Sequence, residues 1–233
     1  MNSMKHVPNF ITCLNLFAGC LACITVLTYH NQEGAFLFIV LAAVFDFFDG
    51  FAARLLKAYS STGADLDSLA DVVSFGVAPG LMLYTYFNSY ESSYLPLLAL
   101  LLPVFAALRL AKFNVDTRQT TSFLGLPVPA CALFWASLIP SLHYFSPSFS
   151  MVTMVGLVVL LIIFCLLMVS EIPMLSLKFK STKWKENQWA FSIIIVAIIL
   201  MSCCSVAYPL LGVCLSIIAY ILLSLLHNIL NCD

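Results

Sequence analysis

Eight apolar stretches, each about as long as a lipid bilayer is thick, occupy most of this chain of 233 residues. A membrane-spanning helix needs about 20 apolar residues, and short polar linkers separate stretches of that length here. Only 9% of the residues are charged, whereas a soluble domain carries about 25%. The sequence therefore predicts an all-α integral membrane protein with about eight transmembrane helices, forming a single membrane domain over residues 1–233. The predicted spans are residues 10–29, 35–57, 66–88, 94–112, 126–145, 150–170, 188–206 and 208–228.

The basic residues indicate how these spans are oriented, because cytoplasmic loops carry an excess of Lys and Arg. With the N-terminus in the cytoplasm, all ten basic residues fall at the N-terminus or at the second, fourth and sixth loops. We therefore expect both termini to be cytoplasmic, in a cell inner membrane or its equivalent. The net charge is −1 and no basic stripe exists, so nucleic acid is not an expected partner. The ten residues are Lys5, Arg54, Lys57, Arg109, Lys112, Arg118, Lys178, Lys180, Lys183 and Lys185.

Acidic residues concentrate where the second and third spans meet. Five of the eleven in the chain fall between Asp46 and Asp71. Carboxylates at membrane depth are costly and usually mark a functional site. Residues three and four positions apart share a helix face, so Asp46 and Asp49 form one stripe and Asp67 and Asp71 form another. The predicted orientation places both stripes near the cytoplasmic surface.

Four carboxylates so close together would repel one another unless cations lay between them. Oxygen ligands of this kind suit Mg²⁺, Mn²⁺ or Ca²⁺ rather than zinc. Two divalent ions about 4 Å apart can clamp the attacking and leaving oxygens of a phosphoryl displacement. The spacing therefore favours metal-dependent phosphoryl transfer at a membrane surface. A cation-handling membrane transporter is the alternative, because intramembrane carboxylates also build ion pathways.

The acidic cluster is part of a longer pattern that resembles the signature of a known family. The resemblance is to the CDP-alcohol phosphatidyltransferases, and it extends to all eight fixed positions of the signature. It implies that an acceptor hydroxyl attacks a CDP-alcohol and releases CMP. It also implies a catalytic core of six helices, here residues 7–170, usually in a homodimer, with two additional helices at 188–228. The matching run is Asp46-x2-Asp49-Gly50-x2-Ala53-Arg54-x8-Gly63-x3-Asp67-x3-Asp71.

Further segments resemble one branch of this family, the CDP-diacylglycerol–serine O-phosphatidyltransferases. That branch implies CDP-diacylglycerol and L-serine as substrates, membrane lipids as surroundings, and phosphatidylserine as product. Lys112 departs from the branch, which often carries Arg there, although the charge is kept. Glycerol phosphate or inositol phosphate is the alternative acceptor, and either would require more basic residues near the site. The segments are Pro8-Asn9-Phe-Ile-Thr12-x2-Asn15, residues 67–79, residues 108–114 and residues 123–129.

The family pattern also implies roles for individual residues. Asp46 and Asp67 are expected to bridge two divalent cations, Mg²⁺ or Mn²⁺, with Asp49 completing the first ion site. Asp71 is expected to touch the second ion and to act as base for the acceptor hydroxyl. The residues expected to bind CDP-diacylglycerol are Asn9, Thr12, Gly50, Ala53, Arg54, Ser60 and Gly63.

Three residues at the end of the fourth span are candidates for binding serine, whose carboxylate needs a cation beside the anionic aspartates. They are Arg109, Lys112 and Asn114. Arg109 is preferred because it lies deeper in the span. The alternative is that this group anchors the span at the membrane surface.

Overall fold

The computed structural model describes residues 6–89, 94–116, 123–145, 151–175 and 188–230. Seven of the helices in these ranges are long and apolar enough to cross a membrane, and an eighth contains the shorter apolar segment Phe191–Ser205. The predicted all-α integral membrane fold is therefore confirmed, with one helix for each predicted span. The helices are α1 (Val7–Tyr29), α2 (Gln32–Leu55), α3 (Ser61–Asn88), α4 (Leu95–Val115), α5 (Val128–Phe145), α6 (Met151–Val169), α7 (Gln188–Ser205) and α8 (Pro209–Leu230).

The described basic residues lie at the C-terminal ends of α2 and α4. A chain that crosses the membrane at every helix places these two ends on the same side. The four residues are Arg54, Lys57, Arg109 and Lys112. The other basic residues used to predict the orientation lie outside the described ranges: Lys5, Arg118, Lys178, Lys180, Lys183 and Lys185.

The helices enclose one apolar core. Helix α1 packs against α2 and α3, α5 lies against α2, α3 and α8, and α4 contacts α3 and α6. Trp135 and Phe134 on α5 are fully buried there, and Phe134 stacks on Phe164 of α6 with ring centroids 4.1 Å apart. This packing fixes α1, α2 and α3 as neighbours, and the acidic stripes lie on the last two.

Helix α3 begins at Ser61, five residues before the predicted span. Ser60 has extended backbone angles, and its hydroxyl accepts a hydrogen bond from the Gly63 amide at 3.0 Å, which caps the helix. The sequence prediction began the span at the apolar residues and missed this cap. The segment that carries Asp67 and Asp71 is consequently helical throughout, and both residues lie on one face. A π-helical segment, Val72–Val77, follows directly after Asp71.

Two short strands form a pair that the sequence did not predict. Strand β1 (Phe123–Leu124) runs antiparallel to β2 (Pro173–Met174). Gly125, which follows β1, has a φ of +74°, and a Cβ there would lie 2.5 Å from the Met168 carbonyl oxygen. Its amide donates to the Ile172 carbonyl at 2.9 Å. This glycine therefore lets the segment before α5 pack tightly against the end of α6.

Replacing Gly125 with alanine should destabilise the protein. A non-glycine residue in this backbone region costs about 1–3 kcal/mol of conformational free energy, and the clash with the Met168 carbonyl adds to that cost. Thermal unfolding in detergent should shift down by roughly 5 °C or more. Gly156→Ala in α6 is the matched control, because a Cβ there meets nothing within 4 Å. Equal melting temperatures for the two variants would contradict this account of Gly125.

Three polar side chains along one face of α8 hold the segment that contains β2. The Tyr220 hydroxyl donates to the Leu175 carbonyl at 3.1 Å, and the Ser224 hydroxyl accepts from the Leu175 amide at 3.2 Å. The Asn228 amide donates to the Pro173 carbonyl at 2.6 Å. These bonds tie the C-terminal half of α8 to the chain that leaves α6. Helix α8 thus reaches the side of the protein that carries the carboxylates.

Candidate active site

Three of the four signature aspartates meet where the second half of α2 faces the first half of α3. Asp46, Asp49 and Asp67 each place one carboxylate oxygen within 4.8 Å of the others. Asp49 is buried, while Asp46 and Asp67 are half-buried. Asp71, one turn beyond Asp67, is also buried, and it lies outside this set but within electrostatic range of all three. The two predicted stripes therefore form one acidic centre.

This centre suits divalent cations. Asp49 Oδ2 and Asp67 Oδ1 are buried and have no hydrogen-bond partner among the described residues. Leaving such an atom unpaired costs about 1–3 kcal/mol, and more when the group is charged. Neighbouring buried carboxylates also repel one another. A cation among these oxygens would offset both costs, and a set of carboxylate oxygens is what Mg²⁺ and Mn²⁺ prefer. The residues present therefore fit a metal centre.

A cavity of about 370 Å³ opens beside the carboxylates, between α1, α2 and the start of α3. Asp49 and Asp67 contribute to its wall. The Thr12 side chain lies beside the Asp49 carboxylate. Where Gly50 lacks a Cβ, the nearest described neighbour is the Arg54 guanidinium at 3.9 Å, so the wall is recessed there. All seven residues expected to bind CDP-diacylglycerol line this cavity: Asn9, Thr12, Gly50, Ala53, Arg54, Ser60 and Gly63.

Arg109 is buried in the last turns of α4, with 7% of its surface exposed. Its guanidinium carbon lies 4.9 Å from the centre of the Phe113 ring, which is cation–π distance. The same group is within electrostatic range of Asp71 and of Tyr220 on α8. A buried cation therefore lies within electrostatic range of the aspartate that was expected to act as base.

Lys112 and Asn114, the other two candidates for binding serine, have different neighbours. The Lys112 ammonium donates to the Val169 carbonyl at 3.4 Å, at the last residue of α6. It also donates to the Glu171 carboxylate at 3.3 Å, just beyond that helix. The Asn114 amide donates to the Ser68 hydroxyl at 2.8 Å and so joins α4 to α3. Of the three candidates, Arg109 is the one with a described interaction with a signature aspartate.

Two residues beside the centre were not assigned from the sequence. Asn15 of α1 donates from Nδ2 to Asp71 Oδ1 at 3.1 Å, and Tyr220 of α8 approaches Arg109. Asn15 carried a signal, because it is a polar residue in an apolar helix and ends a segment that resembles the family. Tyr220 carried none, since its position depends on how the last helix packs.

Comparisons with known proteins match the sequence that forms this site. The family model described as CDP-alcohol phosphatidyltransferase matches residues 5–163. The chain is 43% identical over 127 residues to a CDP-diacylglycerol–serine O-phosphatidyltransferase of Bacillus subtilis. That alignment covers 54% of this chain and 71% of the Bacillus protein. It is 31% identical over 206 residues to a Helicobacter pylori protein of the same description. That alignment covers 87% of this chain and 82% of the Helicobacter protein. The family match includes the four signature aspartates and the helices that hold them.

Proposed function

The chain belongs to the CDP-alcohol phosphatidyltransferase family, and we propose that it is a CDP-diacylglycerol–serine O-phosphatidyltransferase. It transfers the phosphatidyl group of CDP-diacylglycerol to the hydroxyl of L-serine and yields phosphatidylserine and CMP. Its relatives of that description support the choice of substrates. The observation that carries the proposal is that Asp49 and Asp67 belong both to the acidic centre and to the wall of the cavity. A pyrophosphate bound in the cavity therefore meets the metal ligands.

The cavity residues bind the polar part of CDP-diacylglycerol while its acyl chains stay in the bilayer. Arg54, exposed at the wall, pairs with a phosphate through two parallel hydrogen bonds. The recess at Gly50 admits the nucleotide, and Asn9 and Thr12 on α1 close over it. Two divalent cations, Mg²⁺ or Mn²⁺, would neutralise the pyrophosphate and the departing CMP when held by Asp46, Asp49, Asp67 and Asp71.

Transfer proceeds by direct displacement. Serine enters from the cytoplasm, and Asp71 accepts the proton of its hydroxyl. The serine oxygen forms a bond to the phosphorus that carries the diacylglycerol. The bond from that phosphorus to the bridging oxygen breaks, and CMP leaves with the electron pair. A covalent enzyme intermediate is not needed: the described residues that line the cavity include no Cys or His, and the Ser60 hydroxyl among them caps α3.

The test is CMP release by the purified protein from CDP-diacylglycerol with a panel of acceptors. We expect release with L-serine and much less with glycerol phosphate, inositol phosphate or ethanolamine. Preference for one of the phosphorylated alcohols would place the chain elsewhere in the family. Cation flux into proteoliposomes without CMP release would instead support the transporter alternative.

Arg109→Ala should raise the KM for serine strongly and leave that for CDP-diacylglycerol near normal. Serine differs from ethanolamine by its carboxylate, and Arg109 is a buried cation within electrostatic range of Asp71. A charge-assisted hydrogen bond is worth about 1.5–3 kcal/mol, which is roughly tenfold to a hundredfold in KM. Arg109→Lys should recover part of the loss, because an ammonium keeps the charge but not the two parallel bonds. Steady-state kinetics with each substrate varied in turn provide the measurement.

Lys57→Gln is the control for that experiment, since Lys57 is an exposed cation beyond the end of α2. It should leave both KM values unchanged. If Arg109→Ala weakens CDP-diacylglycerol binding and spares serine, Arg109 binds the lipid phosphate. Lys112 or Asn114 would then be the better candidate for serine.

We also propose that the active site and both termini face the cytoplasm and that the protein is a homodimer. The side-specific clustering of the described basic residues supports the orientation. The starts of α2 and α8 lie on the same side, because the Tyr208 hydroxyl, just before α8, donates to the Glu33 carboxylate at 2.5 Å. These two residues share one side of the protein, opposite to the ends of α2 and α4.

Single cysteines in a background free of the nine native ones should report this orientation. Cysteines at positions of Arg54, Lys112 and Lys183 should react with an impermeant reagent only from the cytoplasmic side. Those at Glu33 and Glu91 should react only from outside. Lys183 and Glu91 lie outside the described residues, so they test the count of spans independently. Labelling of position 183 from outside would contradict eight crossings.

A further inference from the structure

Asn15 is a fully buried polar residue on α1, with 0% of its surface exposed. Its Nδ2 donates a hydrogen bond of 3.1 Å to Asp71 Oδ1. Its own Oδ1 is also buried and has no hydrogen-bond partner among the described residues. A buried unpaired oxygen is destabilising by about 1–3 kcal/mol, so an apolar residue of similar size would suit this position better if it only filled space. The contact with Asp71 is the feature that an apolar residue could not provide.

The backbone around Asn15 is fixed to the π-helical segment after Asp71. The Ser74 hydroxyl donates to the Asn15 carbonyl oxygen at 3.0 Å. One turn further along α1, a Cβ on Gly19 would clash with the Ser74 hydroxyl and lie 2.7 Å from the Ser74 Cα. The absent side chain of Gly19 therefore lets α1 and α3 approach closely. Asn15 and Asp71 consequently lie on two closely packed helices that a hydrogen bond joins next to both residues.

We propose that Asn15 is a positioning residue for Asp71, holding Oδ1 so that Oδ2 is the oxygen presented to the metal centre and to the acceptor hydroxyl. The proposal rests on the role given to Asp71 in the proposed function. A carboxylate without a fixed partner can rotate about its last bond, although its two oxygens are equivalent. The hydrogen bond from the Asn15 amide fixes the plane of the Asp71 carboxylate, so that one oxygen accepts this bond and the other stays free for the metal centre.

The chemistry of an amide suits this task next to three other carboxylates. An aspartate at position 15 would add a fifth negative charge and increase the repulsion within the centre. A lysine would bring a cation that competes with the metal ions for the same oxygens. An amide donates a hydrogen bond without charge and without giving up its proton. Removing a residue that hydrogen-bonds a metal ligand commonly lowers metal affinity or activity by 10–100-fold.

The test is a double-mutant cycle between Asn15→Leu and Asp71→Ala, with Mn²⁺ affinity in the absence of substrates as the first readout. Mn²⁺ binding to the purified protein can be measured by electron paramagnetic resonance. We expect Asn15→Leu to weaken Mn²⁺ binding about tenfold and to lower kcat by roughly tenfold to a hundredfold. The KM for CDP-diacylglycerol should change little. In the Asp71→Ala background, Asn15→Leu should have no further effect on Mn²⁺ affinity, because residues that act through one contact are not additive.

Thr25→Val is the matched control on the same helix, since the Thr25 hydroxyl bonds only the Leu21 carbonyl of α1 among the described residues. It should alter none of these quantities. If Asn15→Leu does not fold, Asn15→Ala, which removes the amide without adding bulk or charge, replaces it in the cycle, and a loss confined to the wild-type Asp71 background is again expected. Additive losses, or no loss of Mn²⁺ affinity, would overturn the proposal. Failure of the proposed function would appear differently, as a wild-type protein that binds Mn²⁺ but releases no CMP with serine.

Discussion

Removal of divalent cations should abolish CMP release from CDP-diacylglycerol, and Mg²⁺ or Mn²⁺ should restore it. Three carboxylates, those of Asp46, Asp49 and Asp67, hold oxygens within 4.8 Å of one another in a largely buried site. Adding the two negative charges of a pyrophosphate to such a site is strongly unfavourable unless cations are present. A metal ion typically contributes several kcal/mol of charge stabilisation to such a reaction, so we expect the rate to fall by at least about a thousandfold.

The measurement is CMP release after dialysis against a chelator, followed by titration with each cation. Thermal unfolding of the dialysed protein provides the control, because a folded protein that regains activity on titration has lost its metal and not its structure. Binding of the metal should also raise the melting temperature, since a ligand that binds only the folded state stabilises it. Full turnover in excess chelator would contradict the assignment of these aspartates as metal ligands.

The sequence predicted the number of helices and the fold class because both depend on local properties. Apolar length and charge placement are visible residue by residue. The ends of the helices were predicted less accurately. Helix α3 starts at Ser61, before the predicted span, because the Gly63 amide donates a hydrogen bond to the Ser60 hydroxyl. The pair of short strands could not be predicted, since β1 and β2 lie 49 positions apart in the register that joins Leu124 to Pro173.

In the candidate site, too, the residues with a local pattern were predictable and their partners from distant helices were not. The signature residues lie on two adjacent helices at helical spacing, so their convergence was predictable, and the structure brings three of the aspartates together. The partners from distant helices were not predictable. Lys112 is drawn to Glu171, and Asp71 receives a hydrogen bond from Asn15, 56 positions earlier in the chain. Such contacts depend on the packing of whole helices, which no local pattern records.

Asp46→Asn and Asp67→Asn should weaken metal binding more than Asp71→Asn does. Asp46 and Asp67 belong to the set of converging oxygens, whereas Asp71 lies outside it and already accepts a hydrogen bond from Asn15. An amide keeps the shape of the carboxylate but removes its charge. Two unit charges about 4 Å apart interact by about 4 kcal/mol at an effective dielectric constant of 20. We therefore expect affinity losses of at least about a hundredfold at these two positions and about tenfold at Asp71.

Mn²⁺ affinity of each purified variant, measured without substrates, separates this effect from any effect on the chemical step. Asp65→Asn is the matched control, because Asp65 is an exposed acid on the same helix and lies outside the signature. It should bind Mn²⁺ as the wild type does. CMP release should then distinguish the two roles of Asp71: its asparagine variant should lose only about tenfold in metal affinity but nearly all turnover, because an amide cannot accept the proton of the serine hydroxyl. A ranking in which Asp71→Asn loses the most metal affinity would make Asp71 the principal ligand and would require another group to act as the base.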